Sequence, residues 1–393
     1  MKNLILFKSF YLFLFLFFWR TTIYWANFVQ GGEEKDLLLY VFLAITMFFG
    51  IVLIGKNYKQ IPSKQIHFIA FVWFVLMVVV AVYNNTALSV SIKSVLWPII
   101  FEVTYIFTLL NVKAEKFFRK YFFLLAMMGL FFLSAHLIRT NFAKASNLIY
   151  FFILPMPFLL RTNDSKKPYL FFFVMASMSI LSSKRSMILA IAIFLLIWGL
   201  YNTVKKKKVI QSFFLLLVML SLTVYSFSNI RMLSESRLVE KMDAEDVSNG
   251  RKWIFKVTEL MIANSSIDHK ILGNGHNAVR RDSPMNISAH NEWLEITYDY
   301  GYIATIIYLC LWIFMLKKWY KIYKNKSPYF IQFSLLICIW GVMSIVSQMI
   351  LYVSYVLYLF MFLAFIEGHQ DREEVRIIQT NRFVMSNHNP INF

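Results

Sequence analysis

Apolar runs long enough to cross a bilayer recur along this chain, and they leave it few possible folds. They fall near residues 4–25, 37–55, 66–83, 93–111, 121–138, 148–160, 168–182, 186–203, 209–227, 301–316, 329–347 and 350–366. A helix needs about 20 apolar residues to cross the hydrocarbon layer, so the windows at 148–160 and 168–182 are short. Lipid offers backbone groups no hydrogen-bond partners, which leaves only helices and closed barrels. The runs are continuous, not alternating, and that excludes a barrel. The expected fold is an all-α polytopic membrane protein with about 12 transmembrane helices. Composition agrees, because 59% hydrophobic residues and 41 Phe in 393 positions exceed what a soluble domain buries.

Charge orders these spans. Twenty-four Lys and Arg fall in the termini and loops of one side, from Lys2 and Lys8 through Lys205 to Lys208 to Arg382. The short loops of the other side hold seven: Arg20, Lys35, Lys93, Arg139, Lys144, Lys184 and Arg185. The positive-inside rule assigns the richer side, with both termini, to the cytoplasm. The net charge of +19 therefore reflects topology, and nucleic acid is not an expected partner. The first run, with Lys2 and Lys8 before or within it, has no convincing cleavage site after it and is read as a retained span. Cys310 and Cys338 both lie in apolar runs, where a structural disulfide is not expected.

The chain then divides into spans one to nine over residues 1–227, a polar loop over 228–300, spans ten to twelve over 301–366, and a cytoplasmic tail over 367–393. The loop is extracytoplasmic by the charge rule. It has a charged first part. A helix follows, capped by Ser248 or Asn249, with Trp253, Val257, Leu260 and Met261 on one face. Gly273-Asn274-Gly275 permits a tight turn whose N–H groups face a ligand. The helix that leads into span ten starts near His290-Asn291-Glu292. Inside span four sits Glu102, either a functional carboxylate or a hydrogen-bond partner for a neighbouring helix.

Several groups suited to an anionic substrate lie on the outer side. Arg185, in S-S-K-R-S-M-I-L-A, occupies a very short connection, where an arginine is costly unless it snorkels or meets an anion. Arg251, in G-R-K-W, opens a helix whose free N–H groups already favour anions. His276, Arg280, Arg281, His290, Asn291 and Glu292 close the loop. Each has a plainer reading: Arg185 as an interfacial anchor, Arg251 as a solvated first-turn residue, His290 as a helix-capping histidine, and His276, Arg280 and Arg281 as solvated or headgroup contacts. The spacing of His276 and His290 matches no metal signature, so no metal and no cofactor are expected.

In their order these motifs resemble the O-antigen ligases and the O-antigen or capsular polysaccharide polymerases. The matching elements are S-S-K-R-S-M-I-L-A, G-R-K-W, G-N-G-H, A-H-N-E-W-L-E and Y-G-Y-I-A, over about residues 180–305. The resemblance implies a metal-independent, inverting-type membrane glycosyltransferase acting outside the cytoplasm, in the bacterial inner membrane. Its donor would be an oligosaccharide on undecaprenyl pyrophosphate, and a chain-length regulator is a possible partner besides the lipid membrane. A polymerase passes the growing glycan to the next lipid-linked repeat; a ligase passes it to lipid A–core. The compact loop and A-H-N-E-W-L-E look slightly closer to the polymerases. Carried over, the resemblance has Arg185 and Arg251 stabilise the leaving pyrophosphate through forked hydrogen bonds, with Arg280 or Arg281 as a third cation. His290 would orient or deprotonate the acceptor hydroxyl. A lipid-linked glycan flippase is the rival class. It would call for repeated halves and charges inside the spans, and the sequence has no repeat and few such charges.

Overall fold

The computed structural model describes residues 2–26, 37–62, 64–86, 88–140, 147–160, 174–179, 181–182, 184–206, 251–284 and 286–387. Its helices are α1 (Lys2–Ala26), α2 (Leu37–Asn57), α3 (Gln65–Tyr83), α4 (Leu88–Leu110), α5 (Ala114–Arg139), α6 (Leu148–Ile153), α7 (Met156–Leu159) and α8 (Arg185–Lys206). Beyond them come α9 (Arg251–Asn264), α10 (Ile267–Leu272), α11 (Ala278–Asp282), α12 (Glu292–Lys324), α13 (Phe330–Val346) and α14 (Val353–Asn387). There is no strand among the described residues, and the chain is an all-α polytopic membrane protein. Among the described residues, seven helices are long and apolar enough to cross a membrane. Shorter apolar stretches cover Ser94–Leu110, Leu148–Leu159 and Phe330–Val346. The expected span at 209–227, the charged part of the polar loop and its capping residues Ser248 and Asn249 lie outside the described residues. Of the expected span at 168–182, residues 174–179 are helical.

Two expectations change in detail. The window at 148–160 is two short helices, because Pro155 and Pro157 deny the backbone donors a single helix needs. Both pieces are buried. They press against α5 at Gly129, where an added Cβ would stand 2.6 Å from the Phe151 carbonyl. The stretch read as a tail from residue 367 is also not separate. Helix α14 continues to Asn387, and Glu367 and Asp371 are buried within the bundle.

Helix α14 is the axis of the fold. Its run from Val353 to Ile366 is apolar on every side and almost wholly buried, as a central helix should be. It packs chiefly on α4, where Trp97 stacks on Phe360 at 3.8 Å between ring centres. Helices α2 and α3 instead turn Phe48, Phe68, Phe71 and Val82 outward. That much exposed apolar surface fits lipid and not water.

Contacts between loops sort into the same two sides as the charge count. At one end Lys64 pairs with Asp371, Tyr105 donates to Asp371 at 2.8 Å, and Arg372 donates to the carbonyls of Thr108 and Asn111 at 2.9 and 2.7 Å. At the other end Arg139 donates to Ala26 O at 2.7 Å and Asn84 donates to Gly273 O at 3.3 Å. The first is called the basic end below.

Glu102 has a partner on the neighbouring helix. Both its oxygens lie within 2.8–2.9 Å of His67 Nδ1, joining α4 to α3. Glu102→Ala leaves the largely buried imidazole without that bond, and a loss of about 1–3 kcal/mol is expected. Thermal unfolding of the purified protein measures it; an unchanged midpoint would refute the pairing as a source of stability.

Candidate functional site

The site is built on the first half of α12 and the short helices packed against it. Gly301 interrupts α12 with a left-handed backbone, φ 79°. The interruption frees the carbonyls of Tyr298 and Asp299 from the helical ladder. They accept the N–H groups of Asn274 and Gly275 at 3.0 and 2.9 Å. The Gly273-Asn274-Gly275 turn therefore spends these two donors on α12, not on a ligand as the sequence suggested. Gly273 and Gly301 are both needed, because the two backbone segments approach so closely that a Cβ on either would collide with the other segment's main chain.

Asn291 caps α12. Its Oδ1 accepts from Leu294 N–H at 3.2 Å, and its Nδ2 donates to Ile345 O at 3.3 Å. Glu292 turns away from His290 into the bundle and is fully buried. It accepts Met349 N–H at 2.6 Å, together with Ile350 N–H and the Tyr308 hydroxyl. His290, half-buried, has a left-handed backbone, φ 54°.

Two buried acidic residues that sequence reasoning passed over lie in this half of α12. Glu295 is 4% exposed in its first turn. Asp299, 2% exposed, accepts Val279 N–H at 2.9 Å and caps α11. The role of Asp299 depends on a contact 20 residues away and has no local signal.

Arg280 and Arg281 are exposed on α11. Arg281 forks onto Asp282 at 2.7 and 3.0 Å and reaches Asn274 O at 3.1 Å. Asp282, which raises the guanidinium's pKa further, also accepts the Tyr298 hydroxyl at 3.1 Å. His276 turns its Nδ1 to the hydroxyl of buried Tyr300.

A small core of Ala278, Val279, Ala289 and Tyr298 puts α11 and the His290 turn in one unit. Helix α9 joins it through Ile254, Met261 and Ile262. The packed face thus differs from the expected one: Trp253 and Leu260 are exposed, and Thr258 is buried. Arg251, the first residue of α9, lies one turn from Ile254. Arg185 opens α8, which packs on α13. Tyr201 near the end of α8 meets Phe330 at the start of α13, so the two run antiparallel. The start of α8 therefore lies toward the end of α13, where Asn291 binds Ile345 O. The backbones of Arg185, Arg251, Arg280, Arg281 and His290 thus share one end of the bundle, opposite the basic end. The side chains of Arg185 and Arg251 lie outside the described residues.

Fold and site together define a multi-pass membrane protein whose polar chemistry is gathered at one end of a helical bundle. Residues 170–309, the region that carries these motifs, match the O-antigen ligase family model, so this part of the chain is similar to that family. No curated protein matches the chain.

Proposed function

We propose that the protein is an O-antigen or capsular polysaccharide polymerase of the bacterial inner membrane, with both termini in the cytoplasm. It transfers a growing glycan from undecaprenyl pyrophosphate to the next lipid-linked repeat at the outer face, without a metal. The observation that carries this reading is the gathering of Arg185, Arg251, Arg280, Arg281 and His290 at the end of the bundle away from the cation-rich loops. A breaking glycosyl–pyrophosphate bond develops negative charge, and fixed guanidiniums stabilise it. Arg185 and Arg251 take the diphosphate, with Arg280 or Arg281 as a third cation. His276 lies at the approach, Asn291 and Glu292 brace the helix start, and His290 readies the acceptor hydroxyl. The acceptor hydroxyl attacks the anomeric carbon, the bond to the diphosphate oxygen breaks, and the hydroxyl proton passes to His290. A chain-length regulator is a proposed partner.

The ligase reading has one observation in its favour, the description of the matching family. A deletion strain separates the two on surface-glycan gels. Core carrying one repeat marks a polymerase; bare core with polymer left on its carrier marks a ligase. In the same strain Arg185→Ala and His290→Ala are each expected to lower transfer about 10²–10³-fold. Full-length polymer from both variants would sink the mechanism.

A further inference from the structure

Helix α10 sits where the lipid-facing surface of the bundle ends. Val75, Val78, Val79 and Val82 make an exposed apolar stripe on α3, and Tyr302, Ile303, Ile306 and Leu309 make another on α12. The first stripe stops at the end of α3, and the second starts just after Gly301. Both limits meet α10 or the glycine that closes it. The rings of Tyr83 and His269 lie 5.7 Å apart, and Asn84 donates to Gly273 O at 3.3 Å. On α12, Gly301 lies against the Ile271 carbonyl. These contacts hold α10 at the level where hydrocarbon gives way to headgroups.

At that level α10 exposes two large apolar side chains, Ile267 and Ile271, the first of them by 73%. Four residues apart, they share one face, and His269 between them points to the other side. Helix α9 leads into α10 through Ser265 and Ser266 and exposes Trp253 and Leu260. Exposed Lys256, three residues from one and four from the other, completes the stripe. The bundle is met by a different side of α9, through Ile254, Met261 and Ile262. Tryptophan and lysine beside aliphatic side chains suit a helix lying in a membrane surface. The indole takes the headgroup level, and the lysine stem covers apolar area while its ammonium reaches a phosphate.

We propose that α9 and α10 form a membrane-surface unit: Trp253, Leu260, Ile267 and Ile271 enter the acyl boundary of the leaflet at this end of the bundle, and Lys256 meets a lipid phosphate. The lipid surface is the partner because the exposed stripes of α3 and α12 end against α10. The test uses the full-length protein in phospholipid vesicles. Cys310 and Cys338 are replaced by alanine, and a nitroxide is attached to Trp253→Cys, Leu260→Cys, Ile267→Cys or Ile271→Cys, one at a time. Oxygen, which concentrates in hydrocarbon, is expected to relax all four labels more strongly than a water-soluble nickel chelate does. At Glu259→Cys, off the stripe, the order is expected to reverse. Stronger relaxation by the chelate at Trp253 and Leu260, or at Ile267 and Ile271, would overturn the proposal, because that face would then meet water. Protection of either pair from both reagents would also overturn it, because protein would then cover the face, whether residues 207–250 of this chain or a second copy. Should the labelled variants fail to fold, the unmodified protein decides. A phospholipid with a photoactivatable group near its glycerol is expected to label peptides within 252–271. Label on α3 and α12 with none on those peptides would sink the idea.

Discussion

Gly301→Ala is expected to abolish the folded site and, with it, the proposed glycan transfer. Two costs add. The backbone at Gly301, φ 79° with ψ 177°, is a conformation kept almost wholly to glycine and costs alanine about 1–3 kcal/mol. The new methyl would also stand inside the carbonyl of Ile271, with Gly273 N only 2.7 Å away. Relief would require parting the glycine turn from α12 and losing the bonds from Asn274 and Gly275 to Tyr298 and Asp299. The sum exceeds about 4 kcal/mol, a severe loss for one methyl group. Gly273→Ala is expected to behave alike, because its Cβ would meet the backbone of Asp299 and Tyr300. Proteolysis of membranes, with surface-glycan gels in parallel, checks both variants. Wild-type protease resistance and full-length glycan from Gly301→Ala would show that the close approach is not required.

Glu292→Ala is the second large effect. This carboxylate is 0% exposed and gathers Met349 N–H, Ile350 N–H and the Tyr308 hydroxyl, so it staples the start of α12 to the turn between α13 and α14. Alanine removes the acceptor and leaves two backbone donors buried without partners. A loss of about 2–6 kcal/mol is expected, about 1–3 for each backbone donor left buried without an acceptor. Glu292→Gln should recover most of it. Its carbonyl oxygen still accepts both N–H groups, and the Tyr308 hydroxyl can turn to accept from the amide. Thermal unfolding in detergent orders the three proteins. A Glu292→Ala midpoint equal to wild type would remove Glu292 from the architecture; a Glu292→Gln midpoint as low as alanine would show that the charge itself is required.

The motifs of the loop were legible as motifs, but not always for the right physical reason. G-N-G and the glycine of Y-G-Y read as a tight ligand-facing turn and a span start, yet their glycines are required because two backbones touch. Asn291 and Glu292 read as substrate contacts beside His290. In the fold Asn291 caps a helix and Glu292 points into the bundle. Local spacing supports a helix start, but it does not say which neighbours its polar atoms will meet. The same limit applies to α9. Its apolar residues mark a helical face, but Thr258 is the one buried, because the partner core sits beside Ile254 and Met261.

The sequence by itself determined the all-α membrane architecture, most of the spans and which loops share a side. Hydrocarbon length and the cost of unpaired backbone act residue by residue, so both can be read along a line. Only the tertiary structure decided that the glycine turn locks onto α12 at its kink, that Asp299 caps α11, and that Glu102 meets His67. These depend on atoms brought together from distant parts of the chain, and no local pattern records which partner a buried polar group will find.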